Sequence, residues 1–132
     1  MLDYKNHSEK ISLIKAGKLS LRENVSSFLR SIKEKSDLNA FNFVFDDCVN
    51  DADAIESKIK SGSAGKLAGM VIAIKDVLAL KDKPLTCSSK ILKDFTSLYT
   101  ATAVQKLIDE DAIIIGKLHS LRVNKQHLQL LG

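Results

Sequence analysis

The spacing of apolar positions along this chain marks out its elements in turn. Ile11 and Ile14 share one face of a short helix over residues 8–17. Leu21, Val25, Phe28, Leu29 and Ile32 follow at helical spacing and predict an amphipathic helix ending near Ser36-Asp37. Ser20 and Glu23 ahead of it have the form of a capping box, in which the serine oxygen takes an orphan amide. Asn39 to Phe45 reads as a short extended run. Asp46 or Asp47 is placed to cap a further helix whose inner face carries Cys48, Ala52, Ile55 and Ile59. Gly62 is its stop signal.

The pattern then changes to unbroken apolar runs. Met70 to Ile74 is rich in β-branched residues and predicts a strand buried on both faces. A long irregular stretch from Leu80 to Tyr99 holds the only proline, Pro84. Thr102-x-x-Gln105 predicts the cap of a helix that buries Val104, Leu107 and Ile108. Ala112 to Ile115 reads as a second buried strand. Strand, crossover with helix, strand is a βαβ-like order, so the fold class is α/β.

Lys75 ends the first apolar run. In open α/β sheets, ligands gather outside the carboxyl ends of the strands. A lysine desolvated there loses affinity for its proton and becomes a candidate base. The plain alternative is a lysine that snorkels from the strand end into water.

Composition narrows the class. The chain has 132 residues, one small domain's worth, and 45% are hydrophobic, as in a soluble globular chain. Aromatics are 5% with no Trp, so the core must be aliphatic. The net charge of +4 is a mild excess of scattered lysines, without the basic cluster and interleaved aromatics of a nucleic-acid surface. No apolar run approaches the about 18 residues that span a bilayer. Cys48 and Cys87 form no CxxC pair, and no signal peptide precedes them; reduced thiols and a cytoplasmic location are expected.

Four blocks, in order, resemble the amidase signature family. Gly65-x-Leu67-Ala68-Gly69 with Ile72-Ala73-Ile74-Lys75-Asp76 looks like its opening block. Thr86-Cys87-Ser88-Ser89-Lys90-Ile91-Leu92 looks like its Ser-Lys loop. Tyr99-Thr100-Ala101-Thr102 and Asp111-Ala112-Ile113-Ile114-Ile115-Gly116-Lys117 look like its next two segments. Leu38-Asn39-Ala40-Phe41 adds a similar block upstream. The resemblance implies the N-terminal part of the amidase signature fold: helices, then strands of a mixed sheet with a βαβ-like unit, in an incomplete domain over residues 1–117. Residues 118–132 have no counterpart and read as a divergent or out-of-frame tail.

The resemblance also implies a mechanism, a Ser–cis-Ser–Lys triad in which Lys75 is the general base. Lys66 and Val77 depart from the family's common proline and asparagine, and neither touches the lysine. Both family serines belong to Gly/Ser-rich segments beyond Lys117 that these residues do not contain. The likeness is nearest to the family's glutamine-dependent branch acting on tRNA(Gln). There the implied substrate is glutamine, the implied partners are a B and a C subunit with tRNA bound through the complex, and ATP is used by the B subunit. No cofactor is expected in this chain. A generic amidase fragment and a non-catalytic interaction fragment are the alternatives.

Other motifs carry less. Ser88-Ser89-Lys90 is loop-like, and adjacent side chains seldom face one another, so backbone-bonding polars are the expectation. Gly62-Ser63-Ala64-Gly65-Lys66-Leu67 has neither the spacing nor the Ser/Thr of a phosphate loop. His7, His119 and His127 lack ligand spacing, so no metal site is expected.

Overall fold

Strand β3 (Ile113–Leu118) lies between β1 (Phe41–Val44) and β2 (Val71–Lys75) in a three-stranded sheet of order β1-β3-β2. The computed structural model describes residues 4–76, 78–85 and 96–118. β2 runs parallel to β3 and β1 antiparallel to it, so the sheet is mixed. The helices are α1 (His7–Lys15), α2 (Leu21–Glu34), α3 (Cys48–Ser61) and α4 (Thr102–Asp109), with a 3-10 turn at Ser36–Leu38. The β2–α4–β3 order is the βαβ-like unit expected from the sequence.

Two apolar layers enclose the sheet. One face packs Val71, Ile113 and Ile115 against Ile14, Leu21, Val25, Phe28, Ala52 and Ile59 of the first three helices. The other packs Ile74, Ile114 and Phe45 against Val104 of α4. Both runs that read as doubly buried strands therefore are.

Local signals explain most boundaries. Ser20 caps α2 by accepting the Glu23 amide at 3.3 Å, and Glu56 of α3 takes the Leu21 amide at 2.7 Å. Gly62 closes α3 in the left-handed region at φ 80°. Asp47 stands at the N-terminus of α3 but makes no side-chain cap bond; its carboxylate instead pairs with Lys83 at 2.8 Å. The expected Thr102 cap is corrected: Thr102 is already helical, and Ala101 precedes it in extended conformation. The Ala101 amide is held by the Ala79 carbonyl at 2.9 Å, which fixes where the chain turns into α4. Gln105 spends its side chain on Asp109 at 2.8 Å.

Gly116 is required by the sheet itself. A Cβ there would meet the Phe43 carbonyl oxygen of β1, with the Phe41 ring only 3.1 Å away. Without a bare backbone at 116, β1 could not close onto β3. Both ladders slip beside this point: β3 gains Ile115 against β2, and β1 gains Asn42 against β3.

Lys10 is a polar residue on the inner face of α1. It is 3% exposed, and its Nζ donates to the Gly69 carbonyl at 2.7 Å, just ahead of β2. The rings of Tyr4 and Phe28 lie 5.6 and 5.8 Å from it. Burial pushes the Lys10 ammonium down to about 8. The neighbouring His7 is also lowered, by burial first and by Lys10 second.

Lys10 thus binds its proton more weakly when folded than at the ordinary value of 10.5. Between these two values the unfolded chain holds more protons, so this group's contribution to stability rises with pH. Below the folded value both states are protonated and the full penalty applies. The parent should therefore gain about 1–2 kcal/mol of stability relative to Lys10→Met between pH 7 and pH 9.5. Urea unfolding of both chains across this range checks it; a difference independent of pH would contradict the assignment.

Candidate active site

Because β2 and β3 are parallel, their carboxyl ends fall on one edge of the sheet. Lys75 is the last residue of β2, in register with Leu118, the last of β3. Lys75 is exposed there. Its side chain meets water at this strand end, where the reading as a base needs it desolvated and the snorkelling alternative does not.

The next residue behaves oppositely. Asp76 is 0% exposed, and its amide donates to the Leu118 carbonyl at 3.0 Å. Lys75 is exposed and Asp76, the turn residue that follows the strand, is sealed, so the two side chains part. On the Asp76 side, Lys117 of β3 is also 0% exposed, with Nζ 3.9 Å from Asp76 Oδ1. Asn42 donates its side-chain amide to Asp76 Oδ2 at 2.8 Å. Asn42 is the extra residue of the β1 slip, and such bulges re-aim a side chain.

The structure therefore gathers four polar residues from three strands at one edge. The sequence singles out only Lys75; Asp76 enters it as context and Lys117 as the end of a motif. The available signal was that Lys117, like Lys75, terminates an unbroken aliphatic run.

Other candidates fall elsewhere. Ser88, Ser89, Lys90, Cys87, His119, His127 and the rest of the tail beyond Leu118 lie outside the described residues; Leu118, the first residue assigned to the tail, is the last of β3. The Gly65 and Lys66 amides are occupied by protein carboxylates, Asp111 at 2.8 Å and Glu110 at 2.7 Å, which fits their exclusion as a phosphate loop. The Lys58 hydrogen bond, then the Gly65 amide, hold the Asp111 carboxyl below its usual range. Cys48 is buried, and burial together with Asp47, Asp51 and Asp46 pushes its thiol up to about 11. A thiol held protonated is a poor nucleophile. Among the described residues, no three His, Cys, Asp or Glu side chains cluster closely enough to hold a metal ion. No helix there is long and apolar enough to cross a membrane.

What the edge offers chemically is one accessible amine beside a sealed carboxylate–ammonium pair.

Comparison with known proteins agrees on one kinship. The family model described as Amidase matches residues 23–120. The A subunit of the glutamyl-tRNA(Gln) amidotransferase of Chlorobaculum tepidum is 37% identical over 118 residues, covering 88% of this chain and 24% of that protein. The corresponding protein of Salinibacter ruber is 38% identical over 118 residues, covering 88% of this chain and 23% of its own length. A solved bacterial aryl acylamidase of the amidase signature enzymes superposes with a TM-score of 0.76 at 30% identity, over 87% of this chain and 25% of that one. The chain thus spans about a quarter of the length of the curated relatives it matches.

The Asp76–Lys117 pair has a measurable energetic signature. Two buried charges depend on each other, and removing one partner typically costs about 3–5 kcal/mol. Asp76→Asn and Lys117→Met should each destabilise the chain strongly, and the double variant should lose less than the sum of the two. A double-mutant cycle by urea unfolding checks this; additive losses would show that the two side chains do not interact.

Proposed function

Because the chain belongs to the amidase signature family, we propose that it is the N-terminal portion of the A subunit of a glutamyl-tRNA(Gln) amidotransferase. The observation that carries this is the 37–38% identity to that protein over 88% of the chain. The position of Lys75 at the carboxyl edge of the parallel pair supports its role as the general base.

In the intact parent, the neutral Lys75 amine would take a proton from a bridging serine. That serine would take the proton of a nucleophilic serine, whose oxygen attacks the side-chain amide carbon of glutamine. The C–N bond then breaks, the nitrogen leaves as ammonia after receiving the relayed proton, and water later hydrolyses the acyl-serine. A B subunit would use ATP to activate the glutamyl group on tRNA(Gln), and a C subunit would join the two. The desolvation that Lys75 needs would come from the parent's further elements. The acylamidase likeness supports a second reading, a fragment of an amidase acting on other amides.

These 132 residues as they stand hold the lysine and neither serine segment. The purified chain should release no ammonia from glutamine. In a full-length amidase-signature chain carrying residues 4–118 of this protein, Lys75→Ala should fold normally and lower turnover by about 10² or more. Lys75→Arg should not rescue it, since arginine keeps its proton. Steady-state glutaminase kinetics with a thermal melt on each variant provide the check. Near-parental turnover in Lys75→Ala would remove the lysine from the mechanism.

A further inference from the structure

We propose that Asp76, Lys117 and Asn42 form a positioning network that fixes where Lys75 leaves the carboxyl end of β2. The inference rests on Lys75 being the base, and it assigns a role to residues that never meet the substrate themselves.

The case begins with the strand end. Lys75 is the last residue of β2 in register with β3, and strand termini are where backbone hydrogen bonds open first. A base displaced by about 1 Å can lose on the order of 10² in rate. Something must hold this end still. Asp76 does so from the residue after the lysine: its amide extends the ladder to the Leu118 carbonyl, and its carboxylate is gripped from two directions. Asn42 reaches it from β1 at 2.8 Å, and Lys117 from β3 at 3.9 Å. All three strands converge on one carboxyl group. Locking Asp76 on its face fixes the backbone torsions from which Lys75 departs on the other.

The chemistry of the pair argues for geometry rather than stability. Both Asp76 and Lys117 are 0% exposed, and a buried ion pair seldom outperforms apolar residues of the same volume. The 3.9 Å separation is long for a strong pair. A valine and a leucine would suit an aliphatic sheet better if packing alone were served. The bulge at Asn42 adds to this, since it departs from regular pairing and its side chain ends on Asp76.

The near-isosteric double variant Asp76→Asn/Lys117→Met separates the roles. It removes both charges together, so stability should return close to the parent. Amide hydrogen exchange on the 132-residue chain is the first readout. At Asp76 exchange should quicken about tenfold or more relative to Ile115, showing a loosened strand end in an intact sheet. The second readout uses the full-length chain carrying residues 4–118. There kcat should fall about tenfold or more with KM within about twofold, while the melt stays near parental. Unchanged exchange at Asp76, or parental kcat in the stable double variant, would overturn the positioning role and leave a purely structural pair. Lys75→Ala measured alongside keeps the two readings apart. If it alone retains turnover, the base assignment fails; quickened exchange would then mark an anchor serving no catalytic lysine, which also overturns the proposal.

Discussion

The whole arrangement depends on β3 being buried on every side. Its flanks are covered by β1 and β2, one face by the first three helices and the other by α4 and the segment around Leu80. Three consecutive isoleucines supply the two-faced apolar surface this requires, and burying each is worth about 1.5–3 kcal/mol. Gly116 supplies the remaining condition, a bare backbone where β1 presses in. Helix packing, strand register and the placement of Lys75 all follow from this one strand.

At its carboxyl end the same strand changes character. Lys117 continues the buried run with a charge, and that charge faces Asp76 at the end of β2. Lys75 and Lys117 thus occupy opposite situations on neighbouring strands. One is exposed at the edge; the other is sealed inside it. A sheet that ends two parallel strands at one level can present a reactive group on one face and anchor it from the other.

Much of this is legible in the sequence. The stripes of α2 and α3, the Ser20 cap, the Gly62 stop and the two aliphatic strands are local patterns, and local patterns survive folding. The family resemblance rests on contiguous blocks and needs no tertiary knowledge. What escapes is non-local. Nothing in the spacing of Phe41 to Val44 says that it pairs antiparallel with β3, roughly seventy residues on in sequence. Lys10 reads as a surface residue because lysine usually is one; only the Gly69 carbonyl and two rings explain its burial. Lys117 is hidden by the same prior. Thr102 fails as a cap because a backbone bond to Ala79 sets the start of α4.

Within the described sheet, β1 and β2 each pair on one side only, so both outer edges stay open. An open groove of about 570 Å³ beside β1, with Leu29, Ile32, Leu38, Phe41 and Val44 among its lining, adds to the uncovered apolar surface. These features suit a unit that packs against further elements in a longer protein. Lys75 lies outward at the sheet edge while Lys117 is sealed beneath it. Amine-directed chemical labelling of the native 132-residue chain, read by mass spectrometry, tests this most directly. Lys75 should label at the rate of an ordinary surface lysine, and Lys117 should stay protected until the chain unfolds. Equal labelling of Lys75 and Lys117 under native conditions would contradict the account.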